Sequence, residues 1–262
     1  MRVMADVLAY LIQGLTLLLL VTIAVSFTAA LLAWRERPEP GATPLVLLLG
    51  GAMWWTVFLV FELRADSLAG KILYSNVQWI GVVVVPVAWV WFALEYTGRD
   101  EYVRPKILGA FSIIPVLIVL LALTEPYHTL LYRDTTLVTE HGFSLLHRAP
   151  GPGYWLIAIY TYLLGIVGII PLLDLIRSDA LPFRGQSLAL LVGMIAPWFG
   201  NFLFLTGRIP LEEFDPTPIA FTVTGLAFLG AVTRFRLFGT SPAPTLRARK
   251  LIFERLSDGA IV

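Results

Sequence analysis

Seven polar or aromatic side chains lie within or beside the long apolar segments of this chain, where they could bind a ligand. They are Glu62, Tyr74, Gln78, Trp79, Trp198, Asn201 and Asp215. Carboxylate and amide groups are costly inside a bilayer, so they normally face a cavity, a bundle interior or one another. Gln78 and Asn201 each lie roughly one to two helical turns from the same predicted boundary and could be level with each other. The pattern predicts a polar ligand-binding pocket. The alternative is that these groups only hydrogen-bond the helices together.

Three charged residues near the other end of the apolar segments could relay a signal. Glu95 ends the third segment, and Arg234 and Arg236 follow the seventh. Charged groups at membrane depth normally pair with one another, so we predict that Glu95 pairs with Arg234 or Arg236. A structural ion pair is the simpler interpretation, and a signalling switch is the alternative.

The residue types do not favour a metal site, a thiol-dependent activity or a retinal chromophore. The chain has no cysteine, and its three lysines (Lys71, Lys106 and Lys250) all fall outside the apolar segments. No lysine is therefore placed for a retinal Schiff base, and we predict no cofactor. The three histidines lie in one loop at spacings that match no compact metal site, so we predict no metal. They are His128, His141 and His147.

The apolar segments themselves define the architecture. Of 262 residues, 58% are hydrophobic and only 14% are charged, whereas soluble domains carry about 25% charged residues. The segments are long enough to span a bilayer, which takes about 20 residues of helix. They cover residues 8–33, 45–63, 72–97, 107–124, 154–176, 186–206 and 218–233. The sequence predicts an all-α, multi-pass protein of the cell membrane, a bundle of seven transmembrane helices.

Lysine and arginine are unevenly distributed between the two sets of connections. Thirteen of the 19 lie in loops 1–2, 3–4 and 5–6 and the C-terminal segment. Cytoplasmic segments carry the excess of positive charge, so the N-terminus is predicted outside and the C-terminus in the cytoplasm. On this topology most of the seven candidate residues fall in the outer half of the membrane.

The long loop between helices 4 and 5 and the C-terminal segment each have a pattern of their own. Residues 135–140 and 143–148 are β-prone runs flanking His141-Gly142, which predicts a small extracellular β-hairpin. We divide the chain into a sensor domain, residues 1–239, and a cytoplasmic signalling linker, residues 240–262. The linker mixes basic and apolar residues, as in an amphipathic helix, and its final residues resemble the start of a β-strand in a further domain.

Several stretches give the chain a family resemblance. It resembles the N-terminal seven-transmembrane sensor region of histidine kinases over essentially its whole length. The likeness rests on residues 91–98, 124–128, 151–155, 197–221, 234–238 and 256–262. The resemblance implies that a PAS domain and the kinase domains follow, that the kinase is a homodimer, and that it acts on a response regulator. No catalytic residue is implied for this chain.

The sequence therefore predicts a non-enzymatic, transmembrane sensing module of a two-component histidine kinase. A small or lipid-like ligand, such as a quinone, would bind in the outer half of the bundle, and helix 7 would relay the change to cytoplasmic output domains. Membrane lipids are expected partners, and nucleic acid is not. The alternatives are a transporter or channel for a small molecule, and a lipid-sensing module that sets dimerisation.

Overall fold

The described part of the chain contains seven α-helices, two short 3-10 helices and one β-hairpin. The computed structural model describes residues 2–140, 143–177, 181–208 and 214–239, with side chains described within 13–138, 144–177, 184–208 and 214–239. The predicted linker and the His141-Gly142 turn lie outside these ranges. The helices are α1 (Arg2–Arg35), α2 (Ala42–Arg64), α3 (Leu68–Tyr96), α4 (Pro105–Leu123), α5 (Pro152–Arg177), α6 (Leu181–Leu205) and α7 (Thr217–Thr233).

Each predicted apolar segment corresponds to one of these helices. Six are long and apolar enough to cross a membrane, and α7 is a shorter apolar helix of 17 residues. Local chemistry explains where some begin. Ser67 precedes α3, and its hydroxyl oxygen accepts a hydrogen bond from the backbone N–H of Gly70 at 3.1 Å, which satisfies a donor that the first helical turn leaves free. Proline opens α4 at Pro105 and α5 at Pro152, where its missing N–H costs nothing.

The predicted hairpin is present and longer than expected. Strands β1 (Tyr132–Glu140) and β2 (Phe143–Pro150) pair antiparallel. Just after β2, the backbone N–H groups of Gly151 and Gly153 donate to the carbonyls of Leu131 and Leu130 at 2.9 and 2.8 Å. The base of the hairpin is thereby fixed directly to the start of α5.

Successive helices run in opposite directions, which gives the bundle two distinct ends. At the hairpin end, Nζ of Lys71 near the start of α3 donates to the carbonyl of Glu62 near the end of α2 at 2.8 Å. At the opposite end, Arg99 Nη2 lies 2.7 Å from Asp174 Oδ2, beyond α3 and near the end of α5. We refer to these as the hairpin end and the opposite end.

Small residues bring the helices of the core close together. A Cβ atom on Gly81 of α3 would lie only 2.4 Å from the carbonyl oxygen of Gly51 on α2, so these backbones touch. Interfaces of this kind stabilise helices in membranes through packing, because apolar side chains gain little by leaving lipid. Trp89 is completely buried at the centre of the core, and its Nε1 donates to the carbonyl of Gly165 on α5 at 3.2 Å.

Candidate functional site

A cavity of about 520 Å³ lies at the hairpin end of the bundle, between α2, α3, α5, α6, α7 and the hairpin. Cavities of this size suit small-molecule ligands. Six of the seven residues predicted from the sequence line it, namely Glu62, Gln78, Trp79, Trp198, Asn201 and Asp215. Tyr74 lies outside the lining, because its ring packs 5.5 Å from the ring of Phe61 and 6.4 Å from that of Phe58.

One polar corner of the cavity is formed by α2 and α3. Gln78 Nε2 donates to Glu62 Oε2 at 2.5 Å. Gln78 and the neighbouring Lys71 are buried, whereas Glu62 is partly exposed. Two residues that the sequence predicted for the same pocket, Gln78 and Glu62, are therefore one hydrogen-bonded unit, with an acceptor group at the cavity wall.

A second polar cluster attaches the hairpin to the bundle. Arg148 Nη1 donates to Asn76 Oδ1 at 2.9 Å, and Asn76 Nδ2 donates to Glu125 Oε2 at 3.1 Å. Arg148 Nη2 lies 3.9 Å from the same Glu125 oxygen, and the guanidinium carbon lies 4.3 Å above the ring of Tyr132. Burial raises the pKa of the Tyr132 phenol. The hairpin is thus held over the cavity by a largely buried charge pair.

The third polar corner, which we call the α6/α7 corner, is formed by Tyr162, Asn201, Asp215 and Thr217. Asp215 Oδ1 accepts hydrogen bonds from the Thr217 hydroxyl and from its backbone N–H, the latter at 2.9 Å. Asn201 Nδ2 lies 3.5 Å from Asp215 Oδ2, and the Tyr162 hydroxyl donates to Asn201 Oδ1 at 3.1 Å. Burial raises the pKa of the Asp215 carboxyl. The carboxyl therefore both caps the start of α7 and faces the cavity.

Aromatic rings form much of the remaining wall. Trp198 fits into a notch on α5, since a Cβ atom on Gly165 would lie 1.2 Å from the indole. Trp55 meets Phe221 edge to face at 5.6 Å, and Trp79 meets Tyr154 in the same way at 6.0 Å. Such walls give a ligand apolar contact and flat ring faces.

Proline residues remove helical hydrogen bonds, and neighbouring helices supply replacements. Pro197 of α6 lacks the N–H that would bond to the carbonyl of Gly193. The Thr224 hydroxyl of α7 donates to that carbonyl at 2.5 Å. Such compensation is expected in a membrane, where no water is available to satisfy a free carbonyl. Pro197 also lines the cavity, so the replacement bond links the cavity wall to α7.

At the opposite end, Glu95 pairs with neutral donors and with no arginine of the described ranges. Its Oε2 accepts from the backbone N–H of Gly41 at 2.8 Å and its Oε1 from Trp91 Nε1 at 2.6 Å. The predicted pairing with Arg234 or Arg236 is thus wrong for the residues that the structure describes, because neutral donors close to Glu95 occupy both carboxylate oxygens. A relay role for these residues stays a prediction.

The segment that leaves α7 is instead fixed by neutral hydrogen bonds. The Tyr96 hydroxyl donates to Gln186 Oε1 at 2.5 Å, and Gln186 Nε2 donates to the carbonyl of Phe235 at 2.6 Å. Leu237 and Phe238, which follow, are buried. We call this arrangement of Tyr96, Gln186 and the Phe235 carbonyl the α7 exit contact. It ties the end of α7 to α3 and α6.

Several of these residues were missed in the sequence. Tyr162 could have been found, because its hydroxyl interrupts an apolar segment as the amides of Gln78 and Asn201 do. Arg148 carries no comparable signal, since its strand pattern does not distinguish it from the exposed Arg133. Among the described residues, no group of three or more His, Asp or Glu is close enough to hold a metal ion. His141 lies outside them.

Taken together, the long apolar helices and the ligand-sized cavity define a multi-pass membrane protein of receptor-like architecture. A family model described as the N-terminal 7TM region of histidine kinase matches residues 18–242. The match spans most of the chain, and the chain belongs to this family. The resemblance inferred from the sequence is thereby confirmed, and with it a membrane sensor module in a two-component context. No curated protein matches the sequence.

Proposed function

We propose that the chain senses a small or lipid-like ligand in the cavity and relays the change through α7 to the output domains of its kinase. One observation carries this proposal, namely that α7 takes part in both regions. Phe221 near its start lines the cavity, and the Phe235 carbonyl beyond its end belongs to the exit contact. A shift of this helix on ligand binding would therefore act on both.

A packed aromatic face runs along α7 between the two regions. Phe221 and Phe228 are both buried and seven residues apart, so they lie on nearly the same face of α7, about two turns from each other. Phe228 meets Phe92 edge to face at 5.8 Å, and Phe92 stacks on Tyr96 at 5.6 Å. The path supports a mechanical connection from the cavity to the exit contact, because closely packed side chains transmit displacement.

The energetics of such a relay set a condition on the ligand. It must bind one arrangement of α7 more tightly than the other, since equal affinity for both arrangements shifts no population. A tenfold preference corresponds to about 1.4 kcal/mol. The free energy of one or two hydrogen bonds in the exit contact is of the same order, about 1 kcal/mol each.

The proposal places the hairpin end outside the cell and the opposite end in the cytoplasm, as the distribution of lysine and arginine favours. Residues 240–262 would then act as the cytoplasmic linker. The kinase would work as a homodimer, surrounded by membrane lipids, and pass its signal to a response regulator.

The decisive experiment fills the cavity and measures output. Ala158 on α5 lines the cavity, and the adjacent Ile159 is 59% exposed on the outside of the bundle. In membrane vesicles containing the full-length kinase, an extract of host culture medium and lipids should change autophosphorylation of the wild type and of Ile159→Trp. It should not change that of Ala158→Trp.

An Ala158→Trp kinase that responds like the wild type would contradict the proposal. The double variant Gln78→Leu with Asn201→Leu gives an independent check, since it removes two polar lining groups without filling the space. Solute flux through the purified chain in liposomes would favour the transporter alternative instead.

A further inference from the structure

The α6/α7 corner contains a carboxylate oxygen that is short of hydrogen bonds. In the part of the chain that the structure describes, Asp215 Oδ1 has two donors from Thr217, whereas Oδ2 has a single contact, with Asn201 Nδ2 at 3.5 Å. Among the described residues, Asp215 forms no ion pair. A carboxylate oxygen can accept two or more hydrogen bonds, so Oδ2 has capacity for a stronger donor from the cavity.

The positive charge at the cavity is already engaged elsewhere. The Arg148 side chain is only 7% exposed, and its Nη1 donates to Asn76. Its Nε and Nη2 are buried without a hydrogen-bond partner among the described residues, and Nη2 lies 3.9 Å from Glu125. Arg148 lines the cavity, but because Nε and Nη2 are buried its guanidinium presents little surface to an anionic ligand.

The second carboxylate that lines the cavity is in a different environment. Glu62 accepts from Gln78 at 2.5 Å, and its surroundings include both Lys71 and Arg148. Within the described ranges, no cation acts on Asp215 in this way. Of the two lining carboxylates, Asp215 is therefore the one that lacks a compensating charge.

Aromatic residues line the same cavity as this carboxylate. Tyr162 and Trp198 both line the cavity, with ring centroids 6.2 Å apart. The Tyr162 hydroxyl donates to Asn201 Oδ1 at 3.1 Å, and Nδ2 of the same asparagine lies 3.5 Å from Asp215 Oδ2. Tryptophan and tyrosine faces attract organic cations, and more strongly where water is excluded.

We propose that the ligand of this cavity is an organic cation whose ammonium group donates to Asp215 Oδ2, with its apolar part against Trp198 and Tyr162. This inference deepens the proposed function and rests on the cavity being the ligand site. The simpler role for Asp215 is to cap α7. Asp215→Asn separates the two roles, because asparagine keeps an oxygen for Thr217 and loses only the charge.

Three probes of matched shape test the charge preference, namely 2-phenylethylamine, 2-phenylethanol and 3-phenylpropionate. The purified chain in lipid nanodiscs is titrated with each, and quenching of tryptophan fluorescence is followed. We expect the amine to bind at least roughly tenfold more tightly than the alcohol, and the anion to bind most weakly. Asp215→Asn should remove the preference for the amine and leave the affinity for the alcohol unchanged.

Two further variants locate the effect. Asp174→Asn alters a half-exposed carboxylate at the opposite end and should change none of the three probe affinities. Glu62→Gln should reduce the amine affinity less than Asp215→Asn does. Equal or tighter binding of the anion, an amine preference that survives Asp215→Asn, or no quenching by any probe would each overturn the inference. If Ala158→Trp abolishes binding of all probes but the amine is not preferred, the cavity stands as the ligand site and only the charge assignment fails.

Discussion

The two ends of the bundle are built on opposite principles. At the hairpin end the helices separate around a cavity of about 520 Å³ with polar corners. From the centre of the core toward the opposite end, Trp89, Tyr96 and Phe228 are buried and each packs against the ring of Phe92. An open region can accept a ligand, whereas a close-packed region resists deformation and passes displacement on. Under the proposed function, recognition and output would be separated along the same helices.

The largest expected effect is a loss of stability at the hairpin end. Arg148→Met leaves the carboxylate of Glu125, which is 10% exposed, without its counter-charge. We expect a loss of about 3 kcal/mol in the free energy of unfolding, as for other broken buried pairs, and faster amide hydrogen exchange in β1 and β2. Arg133→Met, on an exposed site of the same hairpin, should cost almost nothing. Equal exchange in both variants would show that Arg148 does not hold the hairpin.

A second variant tests whether the cavity wall depends on one notch. Gly165→Ala would place a methyl group where the Trp198 indole lies, so we expect a loss of about 2 kcal/mol in stability through overpacking. Thermal unfolding in detergent measures it. Gly109→Ala on α4, which meets no atom within 4 Å, should be neutral or stabilising by up to about 1 kcal/mol. If Gly165→Ala and Gly109→Ala unfold at the same temperature, the Trp198 indole must have room to move.

A smaller effect is expected at the opposite end, and it should be on output. Tyr96→Phe removes the donor to Gln186 and should cost about 1 kcal/mol in stability. The range of kinase output between its extreme states should narrow, while ligand affinity stays within about twofold, a shift of under 0.5 kcal/mol. Tyr102→Phe, at a 54% exposed position, serves as control. If Tyr96→Phe keeps the wild-type range of kinase output, the exit contact is not part of the relay.

The smallest effect concerns pH and returns to the hairpin end. Because burial raises the pKa of Asp215 above its unfolded value, folding favours the protonated carboxyl. Wild-type stability therefore falls as pH rises from the unfolded pKa through the folded pKa. Asp215→Asn lacks this loss, so without added amine it should be more stable than the wild type above that window and no more stable below it. Thermal unfolding across the acid range measures the difference. Parallel curves at all pH values would show that the carboxyl keeps an ordinary pKa.

The bundle could be predicted because helices in lipid are specified by length and hydrophobicity, which are local properties. The same holds for the hairpin, whose β-prone runs flank a turn signal. Gln78 and Glu62 were found since any polar group at membrane depth stands out against apolar neighbours. Their direct hydrogen bond could not be found, because the rotation of α2 relative to α3 depends on Gly51 and Gly81 packing together.

The relay residues show where sequence reasoning failed. Glu95 and the arginines seemed matched by charge and depth, yet charge alone does not decide pairing. The backbone N–H of Gly41 and the indole of Trp91 lie closer to Glu95 and satisfy it. The residues that hold the exit of α7 are Tyr96 and Gln186, and a neutral pair ninety positions apart leaves no periodic trace.

The hydrogen bond from Thr224 to the Gly193 carbonyl has a mechanical consequence. Pro197 removes one helical hydrogen bond from α6 at the cavity wall, and the group that replaces it, the Thr224 hydroxyl, belongs to α7. If α7 slid by one helical turn, about 5.4 Å, the Thr224 hydroxyl would no longer reach the Gly193 carbonyl. The helix α6 would then be free to bend at Pro197. The two helices would then be mechanically coupled, because a movement of α7 would permit α6 to bend.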